Sequence, residues 1–137
     1  VGRGGVVGHA GLVKGFMSMG GAMSFESYEQ GDVTVVCLTD DMTDRVTLER
    51  TNFELHGIVE ELDSPRLVMD LSGMTAVTSA VLGVIMGVNL KITRKKGQLH
   101  ICGLTAQVSD VFRLVKLDKI LDIHPSVAAA VSAANAR

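Results

Sequence analysis

Short apolar runs alternate with longer stretches whose apolar positions recur at helical spacing. The runs VTVVCL (33–38), LVMDL (67–71) and QLHICGL (98–104) read as strands, and the apolar character of the first two is that of strands in the sheet interior, covered on both faces. A further strand over 25–30 joins the one at 32–38 through Gly31, a hairpin entry to the sheet. Between the runs, Leu48, Leu55, Ile58, Val59 and Leu62 place a helix over residues 47–62, with Arg50, Glu54, His56, Glu60 and Glu61 on its polar side. Asp63-Ser64-Pro65 ends it. Val81, Leu82, Val84, Ile85, Val88 and Ile92 mark a second helix, and Val108, Val111, Phe112 and Val115 a third, capped by Thr105. Residues 117–121 form a short turn or helix, 122–124 a brief edge strand, and Pro125 opens a last, alanine-rich helix. Alternation of this kind predicts an α/β fold: one domain over residues 23–137, with a mixed central β-sheet and about four helices.

Residues 1–22 have neither period and are dense in glycine, which predicts a flexible tail. GRGGVVG lacks the spacing of a phosphate loop, and the stretch has no continuous apolar core of the kind a secretory signal needs. The run from Leu71 to Leu90 is uncharged and approaches the length of a membrane span. Its glycines, Ser72, Thr75, Thr78, Ser79 and Asn89 argue instead for strand, loop and helix, so no membrane insertion is expected. Against 15 acidic residues stand 13 basic ones, giving a net charge of −2, and aromatics make up only 4%; a nucleic-acid partner is therefore not expected.

Candidate chemistry is sparse. Cys37 and Cys102 sit within apolar runs and read as buried free thiols. Asp40, Asp41 and Asp44 lack calcium-loop spacing and read as a solvated turn before a helix, so no metal or other cofactor is called for. Lys91, Arg94, Lys95 and Lys96 gather where positive charge suits a helix C-terminus, with Gly97 as the cap. Gly83 and Gly87, four apart, give the second helix a flat face. His9, His56, His100 and His124 are scattered, and GxSxG is absent, so no catalytic set emerges and the chain does not read as an enzyme. What remains is a corner at residues 67–87, where an apolar strand passes through a polar loop into an apolar helix. Thr78 and Ser79 stand at the helix start, where a hydroxyl is also an ordinary cap, and Asp70 at the strand end can order the loop.

Asp70-Leu71-Ser72-Gly73, Thr78-Ser79-Ala80-Val81-Leu82-Gly83, Lys95-Lys96-Gly97-Gln98-Leu99 and the later CGLTAQVSDVFRLVKLDKILDI together resemble the STAS domain of anti-sigma factor antagonists. The resemblance runs over residues 23–136 and implies a non-enzymatic cytoplasmic bacterial protein. Such a protein binds an anti-sigma factor of the serine protein kinase type and frees a sigma factor, regulating transcription by partner switching. It further implies phosphorylation at Ser79, with Thr78 as the alternative acceptor, and a serine phosphatase that reverses it. The implied partner surface comprises Asp40, Asp41, Thr75, Thr78, Ser79, Ala80, Val81 and Leu82, on a monomer or weak dimer. Thr78, Ala80 and Val81 depart from the acidic residue, second serine and glycine of the family pattern. A STAS-like scaffold or small-ligand module without phosphorylation is the alternative reading.

Overall fold

The computed structural model describes residues 25–136, and the glycine-rich segment 1–22 lies outside them. In chain order the elements are β1 (Glu26–Gln30), β2 (Val33–Thr39), a 3₁₀ turn (Asp40–Thr43), α1 (Arg45–Glu61), β3 (Arg66–Gly73) and α2 (Ser79–Arg94). There follow β4 (Gln98–Cys102), α3 (Ala106–Leu114), a 3₁₀ turn (Leu117–Lys119), β5 (Asp122–His124) and α4 (Val127–Asn135). The five strands lie in the sheet in sequence order. Gly31, at φ 63°, turns β1 back antiparallel onto β2, while β2 to β5 pair in parallel. Each parallel step needs a crossover, and α1, α2 and α3 supply them.

Period-two alternation divides the core between the two sheet faces. Val36, Leu38, Leu67, Met69, Leu71, Leu99 and Ile101 pack with the buried stripes of α1, α2 and α3. Val33, Val35, Val68 and Cys102 face the other way and pack with Tyr28, Ala130 and Ala134. Both faces are covered, which is why these strands carry so few polar residues. Leu71–Leu90 is accordingly strand, loop and helix, and no helix among the described residues is long and apolar enough to cross a membrane.

Several local details differ from the sequence expectation. Helix α1 begins two residues early because the Asp44 carboxylate accepts the Thr47 backbone N–H at 3.0 Å, an N-cap. Glu54 is buried rather than on a polar face, and its carboxylate accepts from Arg50 Nε at 2.8 Å. His56 is half-buried: a Cβ on Gly87 would lie 3.7 Å from its Nε2, so the flat face of α2 receives a ring at this point. Burial beside the Lys91 charge pushes the His56 pKa down. The basic cluster does more than complement a dipole. Lys95 Nζ donates to the Val59 and Glu60 carbonyls at 3.0 and 2.9 Å, closing the C-terminus of α1, and Lys91 pairs with Glu60 at 2.7 Å.

The left-handed residue that ends α2 is Lys96, at φ 60°, and not Gly97. Gly97 donates its N–H to the Ile92 carbonyl at 2.9 Å, completing a Schellman-type end. It lacks a side chain for another reason: a Cβ there would fall 2.1 Å from the Pro65 carbonyl oxygen. Pro65 in turn accepts from Gln98 N–H at 2.8 Å, where β3 and β4 begin to pair. Pro125 precedes the last helix by two residues, and Ser126 is its N-cap, accepting from Ala129 N–H at 3.1 Å.

Candidate functional site

The corner between β3 and α2 is fixed from three directions. Within the loop, Met74 donates its N–H to the Leu71 carbonyl at 3.0 Å, and its side chain is wholly buried, an apolar peg in a polar stretch. From α3, the Thr105 hydroxyl donates to the Met74 carbonyl at 3.1 Å, while its oxygen accepts Val108 N–H at 3.4 Å as the α3 cap. From the 3₁₀ turn after β2, Asp40 grips Thr75 with both oxygens. Oδ1 accepts the Thr75 backbone N–H and Oδ2 its hydroxyl, each at 2.8 Å. These two donors stabilise the ionised form and hold the Asp40 pKa below its ordinary value.

Beneath the loop, Asp70 is a structural carboxylate. Its Oδ1 accepts Ser72 N–H at 3.0 Å, and the Cys37 thiol points at Oδ2 from 3.9 Å. Gly103, at φ 72°, leaves room for it, since a Cβ there would lie 2.7 Å from Asp70 Oδ1. Cys37 and Cys102 are free thiols in register on either side of Asp70. Desolvation above all, then the charges of Asp70 and Cys37, push the Cys102 thiol up to about 12, so it stays protonated.

At the helix start the two hydroxyls separate in role. Thr78 is the N-cap, its oxygen accepting Val81 N–H at 3.2 Å. Ser79 is the first helical residue, exposed, at the positive end of the helix dipole. Thr75, Thr78, Ser79 and Ala80 are exposed and Leu82 is half-buried, and the Asp40–Thr75 clasp ties Asp40 to the loop that leads into them. Asp41 lies in the same 3₁₀ turn as Asp40. Val81 has no exposed surface; it belongs to the core and offers nothing to a partner. Gly83 adds an open position one turn on, with no atom within 4 Å of where a Cβ would be. That feature, like the Asp40–Thr75 clasp across 35 residues, has no signal in the sequence beyond small or polar residues near the helix start.

No histidine of the described residues accompanies Ser79. His56 stands at Gly87, about two turns along α2, and His100 bonds to His124 on the opposite sheet face. A hydroxyl without a base is a poor nucleophile but a good acceptor for a group that another protein delivers. Asp70 and Asp40 are both already committed to the loop.

The STAS domain family model matches residues 24–130. Among solved structures, the fold resembles a STAS domain protein described as an anti-sigma-factor antagonist from Planctomyces limnophilus, at a TM-score of 0.73 and 13% identity, over 81% of this chain and 97% of that one. An anti-sigma factor antagonist from Mycobacterium paratuberculosis gives a TM-score of 0.68 at 22% identity, over 81% and 92% of the two chains. The anti-sigma factor antagonist SpoIIAA in its unphosphorylated form gives 0.58 at 9% identity, over 78% and 93%. At such identities the structural likeness speaks for the fold, and the family follows from the match over most of the chain. The protein belongs to the STAS domain family.

Proposed function

We propose that the protein is an anti-sigma factor antagonist, regulating transcription by partner switching in the bacterial cytoplasm. Its Ser79 corner docks on an anti-sigma factor of the serine-kinase type and frees the sigma factor that partner held. Phosphorylation of Ser79 turns the docking off, and a serine phosphatase restores it. The observation that carries this reading is the exposed Ser79 hydroxyl at the first position of α2, left out of capping because Thr78 fills that role. Structural neighbours described as anti-sigma factor antagonists, one of them in an unphosphorylated form, support it. The uncommitted Ser79 is preferred as acceptor over Thr78, whose oxygen is engaged with Val81 N–H.

The switch acts at the interface. A phosphate on Ser79 brings roughly −1.5 to −2 charges. Placed at a helix N-terminus, that anion meets backbone N–H groups and a favourable dipole, so the fold tolerates it. Exposed neighbours that are small and uncharged, Ala80 and Gly83, suit close approach of a partner. A closely fitted partner would have to desolvate the dianion, and complex formation fails there. Calorimetry with the cognate anti-sigma factor tests this: Ser79→Asp is expected to weaken binding at least about tenfold, the equivalent of ~1.4 kcal/mol. Ser79→Ala is expected to bind as wild type. Equal affinities for wild type and Ser79→Asp would defeat the proposal, and phosphate mapped by mass spectrometry to a residue other than Ser79 would relocate the switch.

A further inference from the structure

The foot of the sheet, at the opposite end of the strands from Ser79, holds a cavity of about 420 Å³, within the size range of small-molecule sites. The turn between β1 and β2, the start of β2 and the segment joining α1 to β3 surround it. Thr34 alternates with Val33 and Val35, which face α4, so its side chain lies on the α1 side, where Leu62 and Asp63 line the same space. It is only 3% exposed, and no described residue hydrogen-bonds to its hydroxyl. Valine would fill this strand position without cost, whereas a buried hydroxyl lacking a partner costs free energy. Such an atom marks a place that a ligand, an ion or water completes.

We propose that the cavity binds an extended organic amine, a diamine or polyamine, with one ammonium donating to the Thr34 hydroxyl oxygen. Glu29, Asp32 and Asp63 put three carboxylates in the lining, against the single guanidinium of Arg66, so the lining is net acidic and selects a cation. Glu29 stands opposite Thr34 across β1 and β2, on the same face, and supplies the counter-charge that a partly desolvated ammonium needs there. Among the described residues no three acidic, histidine or cysteine groups sit close enough together to hold a metal ion. A divalent cation needs several oxygen ligands converging on one point. Here the carboxylates are spread around the cavity, which matches a cation whose charges are separated along a chain. The half-buried Leu62 gives the methylenes between those charges an apolar surface. With the hydroxyl buried at the base and the carboxylates exposed at the rim, the amine enters lengthwise, one end against Thr34 and the other in water.

The test is an NMR titration of the whole chain with spermidine, at about 0.15 M salt so that exposed charges are screened. Saturable shifts are expected in the amides of residues 29–34 and 62–66, with those of the Ser79 corner unmoved. Glu29→Gln and Asp63→Asn should each weaken binding at least about threefold, and Thr34→Val at least about fivefold. Without amine, Thr34→Val should melt no lower than wild type, because it removes a buried hydroxyl that has no partner. No saturation up to about 10 mM spermidine, the behaviour of a hydroxyl met by water alone, would overturn the proposal. So would an affinity unchanged in Thr34→Val and Glu29→Gln, or displacement of spermidine by equimolar magnesium. If Thr34→Val does not fold, the two variants at the exposed rim decide.

Discussion

At Thr78 and Ser79, neighbours with the same chemistry do different work. Thr78 spends its oxygen on Val81 N–H, whereas Ser79 has a helical backbone and an outward hydroxyl. Losing an N-cap costs about 1 kcal/mol, so Thr78→Ala is expected to lower the unfolding free energy by that amount in urea titration. Ser79→Asp should be neutral or stabilising by up to ~1 kcal/mol, because a carboxylate in the first turn complements the dipole. If Ser79→Asp proved the more destabilising of the two, the assignment of cap and acceptor would be reversed. That the corner holds the exposed hydroxyls was legible in the sequence, since Ser and Thr before an apolar run mark a helix start. Which of the two caps depends on the φ and ψ at each, −105° and 169° at Thr78, and no composition rule carries that.

Elements were easier to read than the bonds between them. The strands and helices followed from period, because burial on both faces or on one stripe leaves a local pattern. The Asp40–Thr75 clasp left none: its partners are 35 residues apart and each is an unremarkable polar residue in a turn. Gly97 was legible as a helix-end glycine, yet its reason lies in Pro65, a neighbour only in space. Likewise His100 and His124 come together only because β4 and β5 pair in parallel. The clasp also has a pH signature. Thr75 N–H and hydroxyl lower the Asp40 pKa, so its contribution is complete above the unfolded carboxylate value of about 3.9 and is lost as pH falls through the lower folded value. Asp40→Ala is expected to lower the protection factor of the Thr75 amide at neutral pH, measured against its intrinsic exchange rate, to the value wild type reaches only in acid. The neighbouring Met74 amide, held by the Leu71 carbonyl, should keep its protection. Loss of both protections together would mean that Asp40 supports the whole loop and not Thr75 alone.

The whole molecule is a sheet with unequal covers. Three helices lie on one face, and on the other α4 brings Ala130 and Ala134 against Val33, Val35, Val68 and Cys102. The Ser79 corner opens at the three-helix side, because α2 crosses there, and α4 covers the opposite face. Small side chains suit that cover: both alanines are fully buried and four apart, so they share one face of α4 and let its backbone approach the sheet. Ala134→Leu would force extra methylenes into this seam and is expected to destabilise by about 1–3 kcal/mol. Ala128→Leu, on the exposed side of the same helix, should change stability by less than ~0.5 kcal/mol. Thermal unfolding of the two variants separates a close-packed seam from a loose one, since a loose seam would accept leucine at Ala134 without loss. Binding of the anti-sigma factor proposed to dock at the Ser79 corner should be the same for both folded variants, because the sheet stands between the two surfaces.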